Sequence, residues 1–196
     1  LPGDQLPDSE NISSANGNLS TLAGKLNENG DIKNTGKRYK PTPGDLVVGT
    51  IVGKTSEFYR VDIKSYANAI LPGTAFNSAT KRNRPNLSIG AVVYCRIVSA
   101  HKDLDTKLTC EVPDFTKKGW STNEVYLCPL TTSPNDQKNP SCVVDISLAH
   151  AQTLLETDCP VLEALGKSIV YEMAVGYNGR VWLSAGTARE LVILRL

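Results

Sequence analysis

Apolar and polar side chains alternate along residues 58–63, with Tyr59, Val61 and Ile63 on one side and Phe58, Arg60 and Asp62 on the other. A period of two marks a strand with one buried face, so Tyr59 is expected inside and Phe58 outside. Four more segments share this character. Residues 46–52 are rich in β-branched side chains and bounded by Gly44 and Gly53. Residues 67–71 stop at Pro72-Gly73, 92–100 form a long run, and 107–112 follow. The polar connection 76–87 has room for a short helical turn. Five short strands with a long connection after the third predict a closed Greek-key barrel of the OB type. Such barrels bind single-stranded nucleic acid on one face and through the loops that rim it.

The pattern changes over residues 141–196. A strand is expected at 142–146. Ser147 caps a helix running to Glu156, with Leu148, Ala151, Gln152 and Leu155 on one face. Asp158 caps a second helix over 160–165 that has Pro160 in its first turn. Strands at 169–175 and 180–185 flank the turn Gly176-Tyr177-Asn178-Gly179, and Thr187 caps a last helix. The order β-α-α-β-β-α is that of a KH domain. Residues 1–36 are rich in Gly, Asn and Ser. A strand at 22–26 followed by Asn29-Gly30 predicts a small β-hairpin that must lean on something larger. The expected organisation is therefore β plus α+β. It comprises a hairpin domain (1–36), an OB-type barrel (37–112), a linker with room for a strand at 125–130 (113–140) and a KH domain (141–196).

Composition refines this. The 196 residues carry 21 Lys+Arg and 20 Asp+Glu, a net charge of +1, which taken whole excludes a uniformly basic nucleic-acid binder. Along the chain the balance separates. Residues 1–36 are net −3, residues 37–118 net +7 (14 basic, 7 acidic) and residues 119–196 net −3. A positive middle module attracts polyanions such as RNA. No apolar run reaches the ~20 residues of a membrane helix, and no membrane partner is expected. No basic-then-apolar leader is present, and the first residue is Leu, as in a processed or partial chain. The five cysteines (95, 110, 128, 142, 159) form no CxxC pair. They read as buried thiols of an intracellular protein, which leaves the sequons at Asn11, Asn18 and Asn86 unused.

Catalytic chemistry finds little support. Gly166-Lys167-Ser168 imitates the end of a Walker A loop, but Val161 stands where that loop needs Gly and a helix replaces the strand. His101 and His150 have no GxSxG beside them. Asp103 and Asp105 read as turn residues, and no carboxylate cluster suits two-metal phosphodiester cleavage. No catalytic residue, metal site or cofactor is expected. The tetrapeptide 176–179 is not the phosphate clamp of a KH domain. That clamp lies between two helices, and here the helix link Thr157-Asp158-Cys159 lacks Gly. The turn is therefore structural, carried by Gly176, Asn178 and Gly179, with Gly and Asn taking positive φ.

The densest basic stretch is 79–86, with Lys81, Arg82 and Arg84 as candidates for phosphate or protein contact. Lys54, Arg60, Lys64, Lys102 and Lys107 extend it into a phosphate-tracking surface, and Phe58 is a candidate for stacking on a base.

Three features together resemble one family. They are the stretch 79–86, the barrel opening Arg38-Tyr39-x-Pro41-x-x-Gly44-Asp45-x-Val47-x-Gly49, and Gly176-x-Asn178-Gly179-Arg180-x-Trp182. The family is the S1/KH cap subunits of the eukaryotic RNA exosome, and the resemblance runs over nearly the whole chain. It implies a non-catalytic protein. With other S1/KH cap subunits it would sit on a ring of RNase-PH-like subunits and guide single-stranded RNA toward separate 3′→5′ nucleases. It also implies rRNA processing and RNA degradation, in nucleus, nucleolus and cytoplasm, and a structural GxNG turn at the S1–KH junction. The segment 113–140 is longer and less Gly-rich than the family's link. Two other readings stay open: a free-standing S1/KH RNA-binding protein of translation or RNA stability, and a nuclease.

Overall fold

The computed structural model describes residues 24–26, 32–34, 38–77, 79–80, 82–101, 104–111, 127–131, 139–155 and 160–195. They form two compact units, Leu1–Lys37 and Arg38–Leu196. In the first unit, strands β1 (Gly24–Leu26) and β2 (Ile32–Asn34) pair antiparallel with Leu26 opposite Ile32. The expected Asn29-Gly30 turn lies outside the described residues.

In the second unit, β-branched and aromatic residues, which pack well on a pleated surface, build five strands. These are β3 (Leu46–Lys54), β4 (Phe58–Asp62), β5 (Ala69–Pro72), β6 (Val92–His101) and β7 (Leu104–Thr109). They close a barrel in the order β3-β4-β5-β7-β6, antiparallel throughout except at β5–β7. A register shift between Ile51 and Gly53 bends β3, which lets one strand serve both β4 and β6 in closing the barrel. The inward positions form one core that includes Val47, Ile51, Tyr59, Val61, Leu71, Phe76, Ile97 and Leu108. Tyr59 is buried within it.

In the barrel and the segment that follows it, three details differ from the sequence reading. The last strand begins at Leu104 rather than Lys107, so Asp105 is a strand residue and not part of a turn. Its register against β6 slips twice before His101, and the bulges carry the pairing past the polar residues that looked like a loop. The connection 76–87 makes turns, such as Ala79 N–H to Phe76 O and Thr80 N–H to Asn83 O, with no helix among its described residues. Of the expected strand 125–130, the described residues make a single bridge, Val93 with Pro129. The carbonyl of Cys128 and the N–H of Leu130 bond Tyr94 and Val92 on either side of it.

Beyond residue 140 the order is β8 (Ser141–Asp145), α1 (Leu148–Leu155), α2 (Pro160–Ser168), β9 (Tyr171–Val175), β10 (Arg180–Ala185) and α3 (Ala188–Arg195). The sheet runs β8-β10-β9, all antiparallel. Ser147 Oγ accepts the His150 N–H at the start of α1. Thr187 and Glu190 form a reciprocal capping box on α3, the Thr187 hydroxyl accepting the Glu190 N–H and the Glu190 carboxylate accepting the Thr187 N–H. Helix α2 runs three residues past its expected end, with Gly166 inside the last turn. The apolar faces of α1 and α3 meet the sheet around Ala151, Val175, Val181 and Leu183.

Candidate nucleic-acid interface and the barrel–KH junction

The alternation of β4 turns Arg60 to the outside of the barrel. Register then decides its neighbours: Arg60 stands opposite Ile70, and Ile70 opposite Lys107 on β7. At ~4.8 Å per strand step, Arg60 and Lys107 are about 10 Å apart across the same outer face. Both are exposed, and among the described residues neither has an ion-pair partner. Phe58, two residues before Arg60, is half-buried on that face.

Lys54 and Arg84 lie at one end of the barrel. Lys54 sits opposite Tyr59, donates to Asn86 Oδ1, and holds its ammonium 5.9 Å from the Tyr59 ring centre. The Tyr59 hydroxyl donates to the Pro85 carbonyl at 2.6 Å and so ties the basic stretch to the barrel. Arg82, earlier in that stretch, is exposed. Lys81 and Lys102 lie outside the described residues. Lys64 is elsewhere. It takes a positive φ of 59° and directs its ammonium to Asp145 of β8 at 3.6 Å. Arg60 and Lys107 thus lie on the outer face, Lys54 and Arg84 at the rim and Lys64 at the junction.

At that junction the barrel meets the KH sheet through the turn between β9 and β10. Asn178 is fully buried. Its Nδ2 donates to the carbonyls of Val48 at 2.8 Å and Ile63 at 3.0 Å, and its Oδ1 accepts the Val48 N–H at 3.3 Å. A Cβ on Gly176 would lie 2.6 Å from the Val48 nitrogen, so only glycine lets the turn approach β3. Of the turn residues expected to take positive φ, Gly179 does, at +71°, whereas Asn178 does not, its side chain being committed to the barrel instead; a Cβ on Gly179 would lie 2.7 Å from the Ile146 carbonyl oxygen. The Tyr177 N–H donates to Leu46 O at 2.8 Å. Trp182 packs with Val48, Val92 and Ala174 across the same seam, and its indole N–H has no partner among the described residues.

Charge reinforces the seam. Arg180 donates to the Asp62 carboxylate at 2.7 Å, to the Asp62 carbonyl at 2.8 Å and to Asp145 at 3.3 Å. Partial burial opposes ionisation of Asp62, but the Lys64 N–H and the Arg180 guanidinium outweigh it and hold its carboxyl below the usual value. The Tyr94 hydroxyl donates to Val175 O at 3.1 Å. Burial, with Tyr177 and Cys95 nearby, pushes that phenol up to about 12. Sequence reasoning missed Asp62, Asp145 and Tyr94 as members of this junction. The outward position of Asp62 on β4 was the only available signal.

The described thiols are unsuited to nucleophilic work. Burial pushes Cys95 up to about 12 and raises Cys110, Cys128 and Cys142 as well. Among the described residues no group of His, Cys, Asp or Glu could hold a metal ion, and no helix is long and apolar enough to cross a membrane.

Two family models match this arrangement: the S1 domain of exosome complex component RRP40 over residues 39–120, and the KH domain over residues 142–189. The exosome complex component rrp40 of Schizosaccharomyces pombe is 32% identical over 216 aligned positions, covering 99% of this chain and 84% of that protein. The chain belongs to the RRP40 family of exosome complex components. Among the cap subunits, the resemblance of the chain is to exosome component 3, also called ribosomal RNA-processing protein 40, and the comparisons bear out that family. The RRP40 of Drosophila melanogaster is 36% identical over 83% of this chain and 64% of its own length, and that of Homo sapiens 30% identical over 81% and 52%. The chain thus spans between about half and two thirds of the length of these two RRP40 relatives. A crystal structure described as an exosome complex RNA-binding protein shares the fold, with a TM-score of 0.59 and 21% identity over 81% of this chain and 82% of that one.

Proposed function

We propose that this RRP40-family chain is a non-catalytic, RNA-binding cap subunit of the RNA exosome. In this reading it sits with the other S1/KH cap subunits on the ring of RNase-PH-like subunits and stabilises that ring. It guides single-stranded RNA into the central channel toward associated 3′→5′ nucleases. Its work is rRNA processing, mRNA decay and RNA surveillance, in nucleus, nucleolus and cytoplasm. In this reading the chain is divided into modules at 1–36, 37–112, 113–140 and 141–196.

The observation that carries the reading is the RRP40 kinship over both the S1 and the KH lengths. Exposed Arg60 and Lys107 on one barrel face, without an ion-pair partner among the described residues, support the RNA part. The buried Asn178 amide, wholly occupied by barrel backbone, supports a structural rather than phosphate-clamping GxNG turn. The test is incubation of the purified chain with labelled single-stranded RNA and magnesium. Binding without shortening is expected. Shortening that a single carboxylate substitution abolishes would replace this reading with a nuclease.

A further inference from the structure

A small cleft opens between the β3–β4 turn and residues 84–86, with a volume of about 180 Å³. It is below the ≈300 Å³ at which drug-sized pockets begin, which suits one planar ring system. Its lining includes Lys54, Thr55, Glu57 and Phe58 on the turn side and Arg84 and Asn86 of the connection.

Both walls are held in place. The turn is closed by the Thr55 N–H and hydroxyl, which donate to Phe58 O at 2.9 and 2.8 Å, and by the Phe58 N–H, which donates to Thr55 Oγ1 at 3.1 Å. The opposite wall is pinned by the Tyr59 hydroxyl on Pro85 O and by Lys54 on Asn86. The Arg84 side chain lies over Gly73, where a Cβ would sit 3.1 Å from its Nη1 and 3.3 Å from its Cδ. Walls that are already ordered cost little entropy on binding. Lys54 and Arg84 against Glu57 leave the cleft one positive charge in excess. The cleft also continues the RNA face, since Phe58 precedes Arg60 by two residues on one strand, ~7 Å away.

We propose that this cleft takes one unstacked nucleotide of a single-stranded RNA, with its base on the Phe58 ring and its phosphate between Lys54 and Arg84. The proposal rests on the RNA-binding reading and adds to it a defined subsite. Every base has a π-face, so the subsite stacks without selecting sequence.

The test uses the full chain and a short single-stranded RNA carrying 5-iodouridine, which photocrosslinks to an aromatic ring on which it stacks. Mass spectrometry is expected to place the crosslink on Phe58. Phe58→Leu keeps an apolar side chain but is expected to lose the crosslink and weaken binding by about 5- to 150-fold. Arg84→Gln is expected to lower the salt slope of binding by about 0.7. Arg60→Ala is expected to weaken binding while keeping the Phe58 crosslink. If Phe58→Leu leaves affinity unchanged and the crosslink maps elsewhere, the cleft is not a subsite although the RNA-binding reading stands. If the unsubstituted chain does not bind the RNA at all, both fall.

Discussion

Asn178 pairs with the backbone of Val48 through both ends of its amide, Nδ2 donating to the carbonyl at 2.8 Å and Oδ1 accepting the N–H at 3.3 Å. One buried side chain from the KH turn thereby occupies both polar groups of a barrel residue 130 positions away. The junction is thus specified by shape and hydrogen bonding together, and its stability is testable residue by residue.

Asn178→Leu removes these bonds and the one to Ile63, and strands buried polar groups of the barrel backbone. At about 1–3 kcal/mol for each group left unsatisfied, a loss of about 3 kcal/mol is expected. Chemical denaturation checks it, as a lower midpoint.

The two KH glycines 176 and 166 should respond oppositely to alanine. Gly176→Ala drives a Cβ to 2.6 Å from Val48 N, whereas a Cβ on Gly166 meets nothing within 4 Å. Gly166 lies in helix α2, where alanine gains about 0.5–1 kcal/mol. Melting temperatures are expected to fall for the first variant and rise slightly for the second.

The Asp62–Arg180 pair sets a pH dependence. The Asp62 carboxyl is held below its ordinary value of 3.8 in the folded chain. Its ionised form therefore stabilises the fold above that value, and the stabilisation is lost as pH falls through the lower folded value. At pH 7 the unsubstituted chain should exceed Asp62→Asn by about 1 kcal/mol, a figure reduced for the partial exposure of Asp62. Denaturation midpoints measured from pH 7 downward should converge only below about pH 4. A gap that widened in acid would contradict the assignment.

Arg60 and Lys107 should act through phosphates. Replacing either by Ala is expected to lower the salt slope of single-stranded RNA binding by about 0.7, and replacing both by about 1.4. Equal slopes in all variants would remove the outer face from the RNA path.

Much of this molecule is legible along the chain because local rules dominate there. The period of two places Tyr59 inside and Phe58 half-exposed, and the Ser147 and Thr187 caps start α1 and α3. Relations that depend on tertiary approach are not legible. Lys64 reads as one more surface cation, yet its positive φ and the nearby Asp145 take it to the junction. Arg180 and Asp62 stand 118 positions apart, and nothing local links them. Arg84 belongs to an evidently basic stretch, but its seat on Gly73 follows from barrel closure.

Assembly tests the proposed role most directly. The native protein, followed by antibody through size-exclusion chromatography of cell extract, is expected to elute with a particle many times larger than the 21.2 kDa of this chain. Elution as a free species near its own mass, with RNA bound or not, would contradict a cap subunit and favour a free-standing S1/KH protein.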